Sequence, residues 1–266
     1  FIIKIIFTSF FLIQPTIQGK SYLESVNPDS LRHKTATAVR VFEEPIIDGK
    51  LDDDVWSSAL SVDEFFQVEP IELSSPSEKT VARVLYDDNS VYISFECFDS
   101  SPGNIKTPLV RRDNWVFGFG DQSDWVGISI DSKNNDYDGY FFAVNAAGAK
   151  MDVSVSGHMQ FDRSWDAVWN SGININKNGW TAEFKIPFAV FQFENSEEVT
   201  WGIDFVRSHH RTQEIYKWPG HAKATRGNIY RLGVLIGIKD IPNPKQLELL
   251  PFSLSGKKDN NLSSQL

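Results

Sequence analysis

The chain has 266 residues, 41% hydrophobic and 13% aromatic, which is enough apolar content for one sizeable globular domain with appendages. Its 26 basic residues stand against 35 acidic ones, a formal charge of −9. The chain therefore offers no overall positive field for a phosphate backbone, and nucleic acid is excluded as an expected partner.

The chain opens FIIKIIFTSFFLIQPTIQG, with a lysine-bearing start, an uncharged apolar run from Ile5 to Ile13 and small or polar residues near Gly19. The run falls well short of the roughly 20 residues a spanning helix needs. Residues 1–19 are read as a signal peptide, truncated at its N-terminus, for an exported protein of the periplasm, outer membrane or extracellular space. Residues 20–38 are polar and aperiodic, as in a linker. The folded domain is expected over 39–240.

Within that domain IIDGKLDDDVW, residues 46–56, places three aspartates between a glycine and a tryptophan. Asp48 and Gly49 suit a turn, Asp52 can cap a short helix, and Asp53 and Asp54 lie where a first helical turn favours negative charge. Adjacent helical carboxylates diverge, so these shape the chain rather than hold a metal.

Short segments then alternate apolar with polar residues: VARVLY from 81, VYISFECF from 91, WVGISI from 125, YFFAVN from 140, MDVSVS from 151, WTAEFKI from 180 and TWGIDFV from 200. Each predicts a strand. Turn-rich pieces separate them, and none has a sustained helical period. The expected class is all-β, an antiparallel β-sandwich of immunoglobulin or jelly-roll kind with short helical turns. Cys97, the one cysteine, shares a strand face with Val91, Ile93 and Phe95 and is a core residue rather than a reactive thiol. Trp180 and Trp201 alternate with core residues in the same way.

Asn134, Asp136 and Asp138, before Gly139, have the spacing that opens a calcium loop, though Asn145 stands where a closing Glu would be needed. A hairpin turn rich in Asp and Asn is the preferred reading, with structural calcium the alternative and no other cofactor expected. His209 and His210 follow a strand without a nearby acidic or Cys companion and read as a solvated loop. A haem between Met151 and His158 or Met159 is a minor alternative, since Met151 alternates with Val153 and Val155 as a core residue would. Residues 241–266, with their prolines and polar tail, read as a linker and the start of a truncated second domain.

PIIDGKLDDDVWSSA resembles the opening motif of the family 9 carbohydrate-binding module. The resemblance continues in order through VARVLYDDNSVYISFECFD, DQSDWVGISIDSKNNDYDGYFFAVNAAGAKMD, SWDAVWNSGININKNGWTAEFKIPFAVFQF, WGIDFVRSHHRTQEIYKWP and LGVLIGIKDI. SWDAVW, NGWTAEFKIPF and LELLPF together resemble the exported domain found ahead of a region thought to be an outer-membrane-type β-barrel. The resemblance implies a β-sandwich, a non-catalytic carbohydrate-binding role in carbohydrate catabolism and a C-terminal barrel-like partner domain. Two other functions stay open: a capping module of that barrel that binds no sugar, and a glycoside hydrolase component, which would need two carboxylates across a cleft.

Sugars present flat C–H faces and rings of hydroxyls, so loop aromatics beside planar polar side chains are the candidate ligand contacts. Family members clamp sugar between two tryptophans. Here the first position falls near Asp121, with Phe119 and Trp115 the closest aromatics, and the second near Arg226, with Trp218 earlier in the loop. The expected ligand set is Trp115, Phe119, Arg111, Arg112, Asp121, Trp218 and Arg226. Arg163, Trp165, Asp166 and Trp169 in FDRSWDAVWNSG are lesser candidates, because the spacing of Trp165 and Trp169 also suits a short helix docked on the core. Arg211 and Glu214 are lesser candidates in the loop that leads to Trp218.

Overall fold

The computed structural model describes residues 34–120, 122–157, 160–194, 196–220 and 229–242. In chain order the strands are β1 (Thr35–Thr37), β2 (Val39–Arg40), β3 (Phe66–Glu69), β4 (Thr80–Tyr86), β5 (Ser90–Phe98), β6 (Trp125–Asp131), β7 (Asp138–Asn145), β8 (Lys150–Ser156), β9 (Gln160–Asp162), β10 (Asn170–Asn176), β11 (Gly179–Pro187), β12 (Glu198–His209), β13 (Glu214–Trp218) and β14 (Gly233–Lys239). An α-helical turn, α1 (Trp115–Gly118), and several 3-10 turns join them. Among these residues no helix is long and apolar enough to cross a membrane.

Every segment predicted as a strand is one, and the strands form two facing sheets. The larger, nine-stranded, runs β1-β14-β12-β6-β7-β8-β9, with β13 on β12 and β3 on β13; the smaller, five-stranded, runs β10-β11-β5-β4-β2. β12 is long enough to hold two neighbours on one edge, pairing with β14 over residues 198–203 and with β13 over 205–209. Pairing is antiparallel except at two edges, where β1 joins β14 and β2 joins β4 in parallel. One extended segment, 35–40, thus gives an edge strand to each sheet. Thr35–Thr37, assigned to a linker by composition, is already part of the sandwich.

Alternation aims Ile128, Phe142, Ile203 and Phe205 of the larger sheet at Ile93, Phe95, Ala182 and Phe184 of the smaller, and all are buried. The Phe95 ring lies 5.7 Å from Phe184 and 5.9 Å from Phe205. Full burial of one such side chain stabilises the fold by ~1.5–3 kcal/mol. Trp180, Trp201 and Cys97 lie in this core as their alternation requires, and burial pushes the Cys97 thiol up to about 12.

The segment 46–59 covers the outer side of the smaller sheet, packing Trp56 with Leu85 and Tyr92. Gly49 and Trp56 both donate to the buried Glu183 carboxylate, and the Thr181 hydroxyl donates to the Gly49 carbonyl. Asp52 is not the helix cap. The turn is 3-10, over Asp54–Ser58, with Asp53 at the cap position making no capping bond; its carboxylate instead accepts the Ile46 N–H at 3.0 Å. The aspartates hold the loop's shape through Asp48, which accepts from Lys50, and Asp53, which reaches back to Ile46.

Candidate ligand-binding groove

The outer face of the larger sheet is also apolar, which its strands dictate. Residues that alternate with the core positions bring Phe141 of β7, Met151, Val153 and Val155 of β8, Val206 of β12 and Ile215 of β13 to that side. Gly127 lets the floor lie flat, because a Cβ there would meet the Phe141 ring at 2.8 Å. The result is a groove of about 440 Å³ lined by these side chains and by Trp115, Trp125, Ser129, Phe161, Arg163, Lys217 and Ile229. Met151, Val153 and Val155 are buried as expected, but in this face rather than in the sandwich core.

Its aromatic wall is built from α1 and the start of β6. The Trp115 ring stacks on Phe119 at 6.4 Å with 8° between planes and stands edge-on to Trp125 at 5.8 Å. The Trp125 indole N–H donates to the Gly120 carbonyl, which fixes its plane. Trp125 in turn meets Phe141 edge-on at 6.3 Å. Trp115 remains partly open while Phe119 is fully buried behind it.

Two cations line the groove and no carboxylate does among the described residues. Lys217 is ion-paired with Asp204, whose carboxyl burial pushes up and the lysine charge pulls back down. Arg163, just after β9, is exposed and has no ion-pair partner among the described residues.

Of the ligand set expected from sequence, Trp115 lines the groove and Phe119 supports it. Arg112 is engaged elsewhere: it pairs with Asp152 and Asp166 and donates to the Ala167 carbonyl at 2.7 Å. Arg111 is exposed in the turn before α1 and does not line the groove. Trp218 is not a loop residue. It ends β13 at 3% exposure, packed on Phe205 at 5.5 Å and against Gly233, so neither face is open to a ligand. Asp121 and Arg226 lie outside the described residues.

Of the lesser candidates Arg163 lines the groove, whereas the tryptophans of SWDAVW and the pair Arg211 and Glu214 are structural. Asp152 accepts the Ala167 N–H at 2.6 Å and the Trp169 indole at 3.2 Å, tying SWDAVW to β8 without a helix. Trp169 stacks on Phe184 at 5.3 Å, and Trp165 packs on Tyr140 and Phe142. Sequence reasoning passed over Trp125, Phe141 and Lys217 as ligand contacts, because alternation marks a buried face without saying which of two faces it is.

Asn134, Asp136 and Asp138 lie in the β6–β7 hairpin. There the Asp131 carboxylate accepts N–H bonds from Lys133 at 3.1 Å and Asp136 at 2.8 Å, and Asp138 faces the Lys133 ammonium at 3.3 Å. Backbone donors and one lysine thus supply positive charge to this turn.

Another set of acid and imidazole side chains converges at the end of β12. Glu78, Asp99 and His209 bring one ligand atom each within 4.8 Å. His209 is fully buried rather than solvated, with Nε2 at 3.0 Å from Asp99 and Nδ1 at 2.6 Å from the Thr212 hydroxyl. Arg211 donates to both Glu78 and Asp99. Burial raises the Asp99 carboxyl, but the Ser101 N–H, His209 and Arg211 outweigh it and hold the group below its usual range. Arg211 supplies the cation here, and the cluster braces the end of the sandwich. Glu214, buried, accepts from Ser77 and Tyr216.

A family model described as carbohydrate family 9 binding domain-like matches residues 47–235. No curated protein matches the chain. Among solved structures, a carbohydrate binding module family 9 from Caldicellulosiruptor kristjanssonii in complex with cellotriose is similar at a TM-score of 0.52 and 16% identity, over 82% of this chain and 100% of that one. The Caldicellulosiruptor kristjanssonii family 9 module in complex with glucose gives 0.51 and 16%, over 79% and 100%. A Bacteroides uniformis protein of assumed carbohydrate-binding role gives 0.55 and 11%, over 77% and 99%. At these identities the likeness is one of fold, and it is the two-sheet sandwich described above. With the family model matching most of its length, the chain belongs to the carbohydrate family 9 binding domain-like family.

Proposed function

We propose that this domain binds carbohydrate without acting on it, and that the sugar lies in the groove on the outer face of the larger sheet. One observation carries the placement: the Trp115, Trp125 and Phe141 rings line a groove that also holds the donors Arg163, Lys217 and Ser129. Rings take the C–H faces of a pyranose, and charged donors take its hydroxyls. Membership of the family and the sugar-bound solved relatives support carbohydrate as the ligand class.

A hydrolytic reading finds no support in the groove. Glycoside hydrolysis uses two carboxylates about 5–10 Å apart across the bound sugar, whereas among the described residues no carboxylate lines the groove. The apolar N-terminal segment and LELLPFSLSG extend the proposal to an exported domain, in the periplasm, at the outer membrane or outside the cell, ahead of a barrel-like region. Fractionation of cells that express the whole protein tests that part.

The placement is tested by a glycan screen followed by calorimetry on each hit. Trp115→Ala is expected to weaken binding by about tenfold or more, the loss of one aromatic platform. Unchanged affinity in Trp115→Ala would move the site off this groove.

A further inference from the structure

We propose that the sugar taken by this groove is acidic: an oligosaccharide bearing carboxylates, held by Arg163 at one side and Lys217 at the other. The inference rests on the groove being the carbohydrate site. Among the described residues, the two ionisable side chains that line it are both cations, on a chain whose formal charge is −9. A neutral sugar asks for mixed acceptors and donors, because each hydroxyl does both. Among the described residues this lining offers guanidinium and ammonium donors, one serine hydroxyl and no carboxylate.

The two cations differ in what they have left to give. Lys217 already pairs with Asp204, leaving N–H bonds to spare on its ammonium. Arg163 has no carboxylate partner among the described residues, and its planar fork matches a carboxylate through two parallel hydrogen bonds.

Their placement also sets a length. β13 and β9 are separated by β12, β6, β7 and β8. Five strand spacings of about 4.8 Å put them on the order of 24 Å apart along the sheet, before the reach of the two side chains. A single sugar ring does not bridge that span, whereas a short chain laid across the strands meets the Trp115, Trp125 and Phe141 rings between the two charges.

The test is calorimetry on the full chain with cellotriose and with its C6-oxidised counterpart, a β-1,4-linked triglucuronate, at low salt and at about 0.5 M NaCl. The triglucuronate is expected to bind roughly tenfold tighter than cellotriose at low salt. Salt should shrink the preference. Arg163→Gln should abolish most of it, weakening triglucuronate far more than cellotriose, and Lys177→Gln, on the β10–β11 hairpin of the other sheet, should leave it intact. Equal or tighter binding of cellotriose would overturn the acidic assignment and leave the groove as a carbohydrate site. A preference that survives Arg163→Gln would also overturn it. Failure of every glycan to bind would overturn the carbohydrate reading itself, and the assignment with it.

Discussion

The Glu183 carboxylate accepts the Trp56 indole N–H on one oxygen and the Gly49 backbone N–H on the other, each at 2.8 Å. Glu183 sits on the outer side of the smaller sheet, and the segment 46–59 closes over it. Burial pushes the Glu183 carboxyl up to about 7, with the two donors pulling the other way. A raised carboxyl binds its proton in the fold at pH values where the unfolded chain has released it. The group's contribution is therefore fullest below about pH 4.5, declines as pH rises toward 7, and is flat above. Across that window the folded chain should lose about 2–3 kcal/mol relative to Glu183→Gln. Urea unfolding of both proteins near pH 5 and pH 8 measures this, and parallel pH dependences would refute it.

Gly49 and Gly172 bring two backbones together. Gly49 has φ +88°, and a Cβ on it would lie 2.2 Å from the Ile173 carbonyl carbon; a Cβ on Gly172 would lie 2.3 Å from the Gly49 nitrogen. Neither contact can be relieved by turning a side chain. Gly49→Ala or Gly172→Ala should lower stability by ~2 kcal/mol or more, read as a drop in Tm. Wild-type Tm in both would show that the 46–56 loop does not pack as described.

Asp152 should be worth far more to stability than its neighbours. It is buried, and Arg112, the Ala167 N–H and the Trp169 indole all converge on it. Asp152→Ala leaves those donors unmatched and should cost ~3–5 kcal/mol, whereas Asp166→Ala, at an exposed partner of Arg112, should cost under about 1 kcal/mol. Equal effects in thermal unfolding would mean the network does not hold SWDAVW in place.

Much of the fold was legible because β5, β11 and β12 are long enough to show a period of two. β1, β2 and β9 are two or three residues long and have no period to read. β13 failed for another reason: all five of its residues are buried, so EIYKW shows no alternation and Trp218 passed for a loop aromatic. The groove was harder. Met151, Val153 and Val155 carry the same signal whether they face the opposite sheet or the outside. His209 finds its acid 110 residues away in Asp99, a pairing that local spacing does not reveal.

Trp115 and Trp218, both expected to touch ligand, separate in the structure. Trp218→Ala should cost ~3–5 kcal/mol by emptying a core site beside Phe205 and Gly233. Trp115→Ala, which removes a half-buried ring, should lower Tm less than Trp218→Ala and act chiefly on affinity. Calorimetric and thermal scans of the pair check the division, and the reverse pattern would restore Trp218 to the site.

The β6–β7 hairpin should need no ion, since backbone N–H groups and Lys133 already face Asp131 and Asp138. Chelation with EDTA is expected to leave Tm unchanged, and a fall restored by calcium would show that Asn134, Asp136 and Asp138 ligate it.

The measurement closest to the central claim is an NMR titration that follows the tryptophan indole N–H signals as a binding glycan is added. The Trp115 and Trp125 signals should shift with saturation, while those of Trp180 and Trp201, enclosed between the sheets, stay in place. Saturable binding that leaves Trp115 and Trp125 unmoved would contradict the assignment of the groove.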